Sequence, residues 1–361
     1  MNIEALERLR GWMRAKGFSR FYVVRPENFA WLVGGANTLG MGESVAYLEV
    51  GEEVVLHTSA IEHPRMVEEE APGLPARVHP WYAFPPPPGP NDLEHDLTPL
   101  RLVLSREAQG AFTHLGREAA MAVGEVVRSA RPEWTEYALA GALAEALWGR
   151  GLRPLLLLVA GEERLFRHRH PLPKGKPLGR AFMAVVCAER GGLVANLTRM
   201  ASFGHGEVEA RYRKVLEVEA AALSASRPGA TLGEVFAALQ GAYARVGFPR
   251  AWGEHHQGGV GGYRSREVVA TPGHPLVLEA GMVLARCTLP SMSPGLDGAS
   301  APGVEMRSEH KGTLVKQLLQ EGELITEAGA RREECVAACA AAAAVPRRSD
   351  GGNNVGTGPA R

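Results

Sequence analysis

Residues 180–204 run Arg180-Ala-Phe-Met-Ala-Val185-Val-Cys187-Ala-Glu-Arg-Gly-Gly192-Leu-Val-Ala-Asn196-Leu-Thr-Arg199-Met-Ala-Ser-Phe-Gly204. Two β-prone runs, Phe182–Ala188 and Leu193–Met200, flank Glu189-Arg190-Gly191-Gly192. A Gly-Gly tip between such runs predicts a β-hairpin. Many hydrolases mount metal-binding carboxylates on strands like these. This pair of strands carries none between its ends, so the chemistry has to be sought around it.

Working outward, the hairpin sits between two copies of a helical unit. Arg131, Pro132, Thr135 and Gly151 recur as Arg227, Pro228, Thr231 and Gly247, at a constant offset of 96 without gaps. The threonines suit N-caps and the glycines suit C-terminal stops. A second helix precedes each copy, over 117–129 and 208–224, and strands follow each, so each half reads helix, helix, strands. Apolar helices of this kind must be buried, and two such halves are expected to lay four helices over one mixed sheet. Ahead of them, residues 3–16 show helical apolar spacing closed by Gly17. Phe21–Val24, Ala46–Val50 and Glu53–His57 read as strands, Arg25–Asn28 as a turn, Ile61–Glu70 as helical and Leu100–Leu104 as one more strand. The Phe84-Pro85-Pro86-Pro87-Pro88-Gly89-Pro90 run is a stiff extended spacer rather than a recognition segment.

Composition bounds the function. The chain has 361 residues, 45% of them apolar, with 40 basic and 40 acidic side chains. Zero net charge argues against a broad nucleic-acid footprint, and no apolar run reaches membrane-spanning length. The N-terminus reads as an amphipathic helix and not as a signal peptide. Four scattered cysteines (Cys187, Cys287, Cys335, Cys339) favour free thiols and a cytoplasmic setting. On apolar strands Cys187 and Cys287 read as buried and inert rather than nucleophilic. From about residue 325 an Ala-, Arg- and Gly-rich tail follows, which reads as partly disordered or as the product of an altered reading frame.

The chemistry-bearing residues fall in three stretches. Arg167-His168-Arg169-His170-Pro171 alternates two His with two Arg, which an extended chain would send to opposite sides. His170 is a candidate base and His168 and Arg169 candidate substrate contacts. Glu254-His255-His256-Gln257-Gly258-Gly259 places two His before a Gly-rich run that permits close backbone approach, with Tyr263 just beyond. On a strand only one of His255 and His256 would face a given pocket. Met306-Arg307-Ser308-Glu309-His310 supplies a further candidate, Glu309. Asn196 and Arg199 of the hairpin are candidate substrate contacts. No Asp stands between Asp96 and Asp297, whereas a two-metal hydrolytic site needs several carboxylates to hold ions about 3.5–4 Å apart.

Repeat, Arg-His-Pro stretch, hairpin, His-His-Gln-Gly-Gly stretch and Glu309 segment together make the chain resemble the creatinase/prolidase/aminopeptidase P superfamily, the pita-bread proteins, over about residues 1–320. The resemblance implies an α/β fold: a small creatinase-like N-terminal domain (1–106), a pita-bread domain with pseudo-two-fold halves (107–324) and the tail (325–361). Active members bind two metal ions through two Asp, one His and two Glu, and cleave bonds next to proline or at the N-terminus. Aligned through Gly192 and Leu197-Thr198-Arg199, those positions fall on Val185, Asn196, the neighbourhood of Gly258, Cys287 and Glu309. No metal residue is therefore expected, and a divalent pair only with an unconventional ligand set. His170 takes the place of the family's substrate-binding His. Creatinase is a metal-free branch that hydrolyses a C–N bond with a His as acid and base. Three readings follow: a metal-independent C–N hydrolase using His170, His255, His256 and Glu309; a non-catalytic protein binding a small molecule or short peptide; and an Xaa-Pro peptidase with non-standard ligands. Relatives commonly form homodimers, so the resemblance allows a homodimer, which nothing in the sequence itself shows.

Overall fold

The two glycines at the hairpin tip both have positive φ, 59° at Gly191 and 78° at Gly192. That is the requirement of the tight two-residue turn whose twist matches the strands it joins. The computed structural model describes residues 1–40, 44–288, 306–311 and 324–326. In it β6 (Ala181–Arg190) and β7 (Leu193–Ser202) pair in register from Ala181↔Ser202 to Arg190↔Leu193. The backbone N–H of Gly192 donates to Glu189 Oε1 at 2.6 Å and closes the turn.

Three four-stranded sheets are built from the described residues. The N-terminal sheet runs β1 (Phe21–Val23), β2 (Ala46–Val50), β3 (Val54–Ser59), β4 (Ala76–His79). Its inner face packs on α1 (Ile3–Lys16) and α2 (Pro26–Val33). The second sheet has the order β12-β7-β6-β5, with β5 at Arg153–Gly161 and β12 at Leu324–Thr326. The third has the order β11-β10-β8-β9, with β8 Gly258–Gly261, β9 Val268–Val269, β10 Val283–Thr288 and β11 Met306–Lys311. The first turns of the second helix pair also pack on β5–β7, while each of the last two sheets takes a helix pair. These are α3 (Arg106–Ser129) with α4 (Glu136–Trp148), and α5 (Gly206–Ala225) with α6 (Leu232–Arg245).

The expected duplication is present in the backbone. Thr135 and Thr231 cap α4 and α6 through their side chains, the second as a full capping box with Glu234. Gly151 and Gly247 adopt positive φ after those helices. Leu178 N–H donates to Trp134 O and Leu278 N–H to Ala230 O, both at 2.8 Å. Glu136 N–H donates to Lys176 O and Leu232 N–H to Leu276 O in the same way. The expected single mixed sheet is instead two ladders that meet where β11 lies beside β7 and where Val194 N–H donates to Gly262 O at 2.9 Å.

Several local expectations change. Arg25–Asn28 opens α2, because Pro26 at the first helical turn loses no hydrogen bond there. Leu100–Leu104 is not a strand. Thr98–Arg101 is a helical turn, with Asp96 Oδ1 accepting from Thr98 N–H, and Val103 bridges singly to Met282. The 61–70 segment is helical only from His63, and Met66–Glu70 is wound as a π-helix. The tail from residue 327 lies outside the described residues. Among those residues no helix is long and apolar enough to cross a membrane.

The Pro-rich run is a strap across the outer face of the N-terminal sheet. The Phe84 ring packs on Tyr47 and His79, with centroids 5.5 and 5.7 Å apart, and Tyr22 N–H donates to Pro90 O at 2.9 Å. Beneath it His57 Nε2 meets Glu49 Oε2 at 2.9 Å and His57 Nδ1 meets His79 Nε2 at 3.2 Å. A carboxylate only accepts, so Nε2 carries the proton of neutral His57. Desolvation holds the His57 pKa below its ordinary 6.5, against the opposing pull of Glu49. The unfolded chain then binds more protons than the folded one as pH falls through and below about 6.5, so this stability is present above that pH and lost beneath it. Unfolding free energy measured in urea should therefore fall more steeply with acidification in the parent than in His57→Gln. Parallel pH dependences would exclude His57 as the source.

A charged network joins the N-terminal segment to the second half. Arg101 is buried and holds Glu267 in a fork, Nε to Oε1 at 3.0 Å and Nη2 to Oε2 at 2.6 Å. Arg101 Nη1 also donates to Asn28 Oδ1 at 2.6 Å, and Asn28 Nδ2 to Asp92 Oδ2 at 2.8 Å. Glu267 Oε1 accepts further from the N–H groups of Tyr263 and Arg264, at 3.1 and 3.2 Å.

Candidate functional site

The two histidine stretches, far apart in sequence, meet in space. His170 Nε2 and His255 Nε2 are 3.1 Å apart, and the His255 and His256 ring centroids are 4.0 Å apart. His255 Nδ1 lies 2.6 Å from the His256 carbonyl oxygen. A carbonyl only accepts, so Nδ1 carries the proton of neutral His255 and its Nε2 offers a lone pair. His170 Nε2 must then donate to it. This tautomer assignment follows from the network. One residue earlier on each segment, Arg169 Nη2 pairs with Glu254 Oε2. Arg169, expected to contact substrate, has that edge of its guanidinium committed to Glu254.

Local structure explains these positions. The chain is not extended at 167–170: Glu162–Leu165 is a helical turn, and the N–H groups of Arg167 and His168 donate back to Arg164 O. The expected His/Arg alternation is therefore replaced by a turn that leaves His168 exposed and brings His170 to His255. The loop is pinned from below by Glu136 at the start of α4. This buried carboxylate accepts from Gly161 N–H at 2.9 Å, from Lys174 N–H at 2.8 Å and from the Arg164 guanidinium. On the other side, β8 begins only at Gly258 and Ala251–Gly253 is a 3-10 turn. His255 and His256 thus precede the strand, and the alternation that would separate their side chains does not apply. Gln257 holds this turn. Its Nε2 donates to Trp252 O at 3.0 Å and His255 O at 2.7 Å, and its Oε1 accepts from Tyr243 at 3.1 Å. Sequence reasoning passed over Glu136, Glu254, Gln257 and Tyr243. The signal available was a lone Gln wedged between two His and two Gly.

The hairpin face is neutral. Val185 stands opposite Thr198 and Cys187 opposite Asn196, and cross-strand partners share a face. Val185 is fully buried in an apolar cluster with Leu158, Met183, Met200 and Tyr212. Asn196 Nδ2 donates to Ser265 O at a long 3.4 Å. Asn196 Oδ1 and Thr198 Oγ1 are buried and have no partner among the described residues. Arg199 lies on the opposite face from Asn196, opposite Ala184, because strand side chains alternate. It cannot share a hairpin face with Asn196. Tyr263 is not one of the residues the histidine cluster brings together. It packs in the main core against Gly192, and burial, then Glu107 and Glu267, push its phenol up to about 12. Glu309 stands opposite Ala285 on β11, and Ala285 stands opposite Gly259. Cys287 stands opposite Arg307, and Cys187 is a buried thiol.

Among the described side chains, the donors at these positions do not fit a pair of divalent ions. Val185 offers an apolar side chain, Gly258 and Gly259 offer none, and the orphaned Asn196 and Thr198 oxygens are neutral. Two adjacent dications need anionic ligands to balance them. Among the described residues no group of three His, Cys, Asp or Glu is arranged to hold a metal ion.

Comparison with known proteins agrees with the architecture. The chain is similar to the prolidase from Pyrococcus horikoshii OT3, with a TM-score of 0.71 and 16% identity over 86% of this chain and 95% of that one. The Xaa-Pro dipeptidase from Bacillus anthracis superposes with a TM-score of 0.70 and 15% identity, covering 90% and 99%. The N-terminal domain of FACT complex subunit SPT16 from Cicer arietinum superposes with a TM-score of 0.63 and 11% identity, covering 86% and 92%. At these identities the likeness is one of fold. No curated protein sequence matches the chain. The profile of metallopeptidase family M24 matches residues 111–337, which span both helix pairs and both histidine stretches. With its duplicated helix-pair halves and prolidase-like architecture, the chain belongs to metallopeptidase family M24.

Proposed function

We propose that this chain is a metal-independent hydrolase of a C–N bond in a small molecule or short peptide, with His170 and His255 as its acid–base pair. The contact between their Nε2 atoms, 3.1 Å apart across 85 residues of sequence, carries the reading. Neutral imidazoles are suited to proton transfer near pH 7. The pair holds one proton between two nitrogens and takes a second from the attacking water. The water oxygen bonds to the carbonyl carbon, the C–N bond breaks, and the pair returns that proton to the departing amine. His256, whose ring lies tilted against His255, and Glu309 on β11 are further candidates for orienting substrate. The neutral hairpin face supports a route that draws on no metal-held water.

The test is metal analysis of the purified protein with turnover assays on amides, ureas and Xaa-Pro dipeptides, with and without chelator. Chelator-insensitive turnover by metal-free protein is expected. Turnover that appears only with Mn²⁺ or Co²⁺ would instead establish an Xaa-Pro peptidase with non-standard ligands. The neutral face also favours a second reading, a binding protein on the peptidase scaffold. Ligand-dependent thermal stabilisation without any turnover would select it.

A further inference from the structure

Arg169–His170 meets Glu254–His255 residue for residue: ion pair beside histidine pair, both at a separation of 85. The first segment belongs to one half of the duplicated fold and the second to the other. Elsewhere the described halves touch through the hairpin, by Val194 N–H to Gly262 O and Asn196 to Ser265 O, and through α5, whose Val208, Tyr212 and Val215 share a core cluster with Leu165 and whose Arg211 lies over the Phe166 ring at 5.7 Å. The α5 contacts anchor the start of the loop at Phe166, four residues before His170. Glu136 pins that loop to α4, but only to its own half. Something must hold the two imidazoles within hydrogen-bonding distance against the repulsion they acquire whenever both carry protons. The ion pair is adjacent, is half-buried, and joins the same two backbone segments.

We propose that Arg169 and Glu254 form a clasp between the two halves that positions His170 against His255, and that neither residue contacts the substrate. This rests on the reading of the histidine pair as the acid–base centre. A partly exposed ion pair contributes little to global stability, so its effect is local. Loss of the clasp leaves the fold intact and lets the 167–170 turn, between the anchored Phe166 and Pro171, carry His170 away from His255. Misplacement of about 1 Å in a catalytic group is enough to cost roughly 100-fold in rate.

The experiment uses the full chain labelled with ¹⁵N-histidine. In the parent, at low temperature where exchange of this exposed bond is slow enough to observe, the His170 Nε2–H donated to His255 should appear as a downfield imidazole proton. Glu254→Gln and Arg169→Gln should each abolish that signal while moving the thermal midpoint by no more than about 2 °C. The charge-swapped double variant, Arg169→Glu with Glu254→Arg, should restore it. Where turnover is measurable, kcat should fall about 10- to 100-fold in the single variants with KM little changed, and recover in the swap. An undiminished signal in the single variants, a swap that fails to restore it, or no such signal in the parent would each overturn the clasp. Absence of turnover in the parent would sink the hydrolase reading alone, because the imidazole proton signal reports on the clasp without any chemistry.

Discussion

Arg101→Ala is expected to destabilise the protein by about 3–5 kcal/mol, the range for removing one partner of a buried ion pair. The large value comes from what stays behind. Glu267 would keep its burial and its two backbone donors but lose both guanidinium bonds, and Asn28 Oδ1 would lose its partner. Desolvation of an unpaired carboxylate is the costly element, not the missing attraction. The cost should be much smaller when both charges go together, as in Arg101→Met with Glu267→Leu, because apolar replacement of a buried pair is often neutral. Urea unfolding of the two single variants and the double variant measures this. If Arg101→Ala alone shifted stability by less than about 1 kcal/mol, water would have to reach the pair, contrary to its burial.

His170→Ala is expected to lower turnover by about 100- to 10,000-fold, the usual worth of a general acid–base group. The substitution leaves His255 Nε2 with its lone pair but without the proton that His170 supplies. His255→Ala should cost a similar factor. The double variant should cost little more than either single one, because the two rings act as one unit. His168→Ala, at an exposed position outside the pair, should leave the rate within about threefold. Multiplicative losses in the double variant would show that the two histidines act separately. A rate unchanged in His170→Ala would remove that residue from the chemistry.

Much of the fold was legible because its determinants are local. Gly191-Gly192 between β-prone runs specifies a hairpin by backbone sterics. Thr135 and Thr231, with Gly151 and Gly247, mark two copies of one helix by capping chemistry. The misjudged elements were those where neighbours overrule propensity. Leu100–Leu104 is apolar and strand-like in sequence, yet it follows a helical turn whose Thr98 N–H is held by Asp96 and whose Arg101 is held by Glu267. The placement of Asn196 and Arg199 on opposite faces was legible too, since an odd separation along a strand sets two side chains apart.

The chemistry divides in the same way. The stretch 180–204 alone determined that positions 182–188 and 193–200 present no carboxylate, because Val185 and Asn196 are covalent facts. Under the proposed function, sequence also supplied the imidazoles as the candidate groups to move protons. Tertiary structure alone decided which of them can act together. His170 and His255 lie 3.1 Å apart because Glu136 pins one loop, Gln257 braces the other, and Arg169 meets Glu254 between them. Pattern along the chain reports backbone geometry, which is set within a few residues. A proton-transfer pair depends on distances across the fold, which are set only when its two halves close on one another.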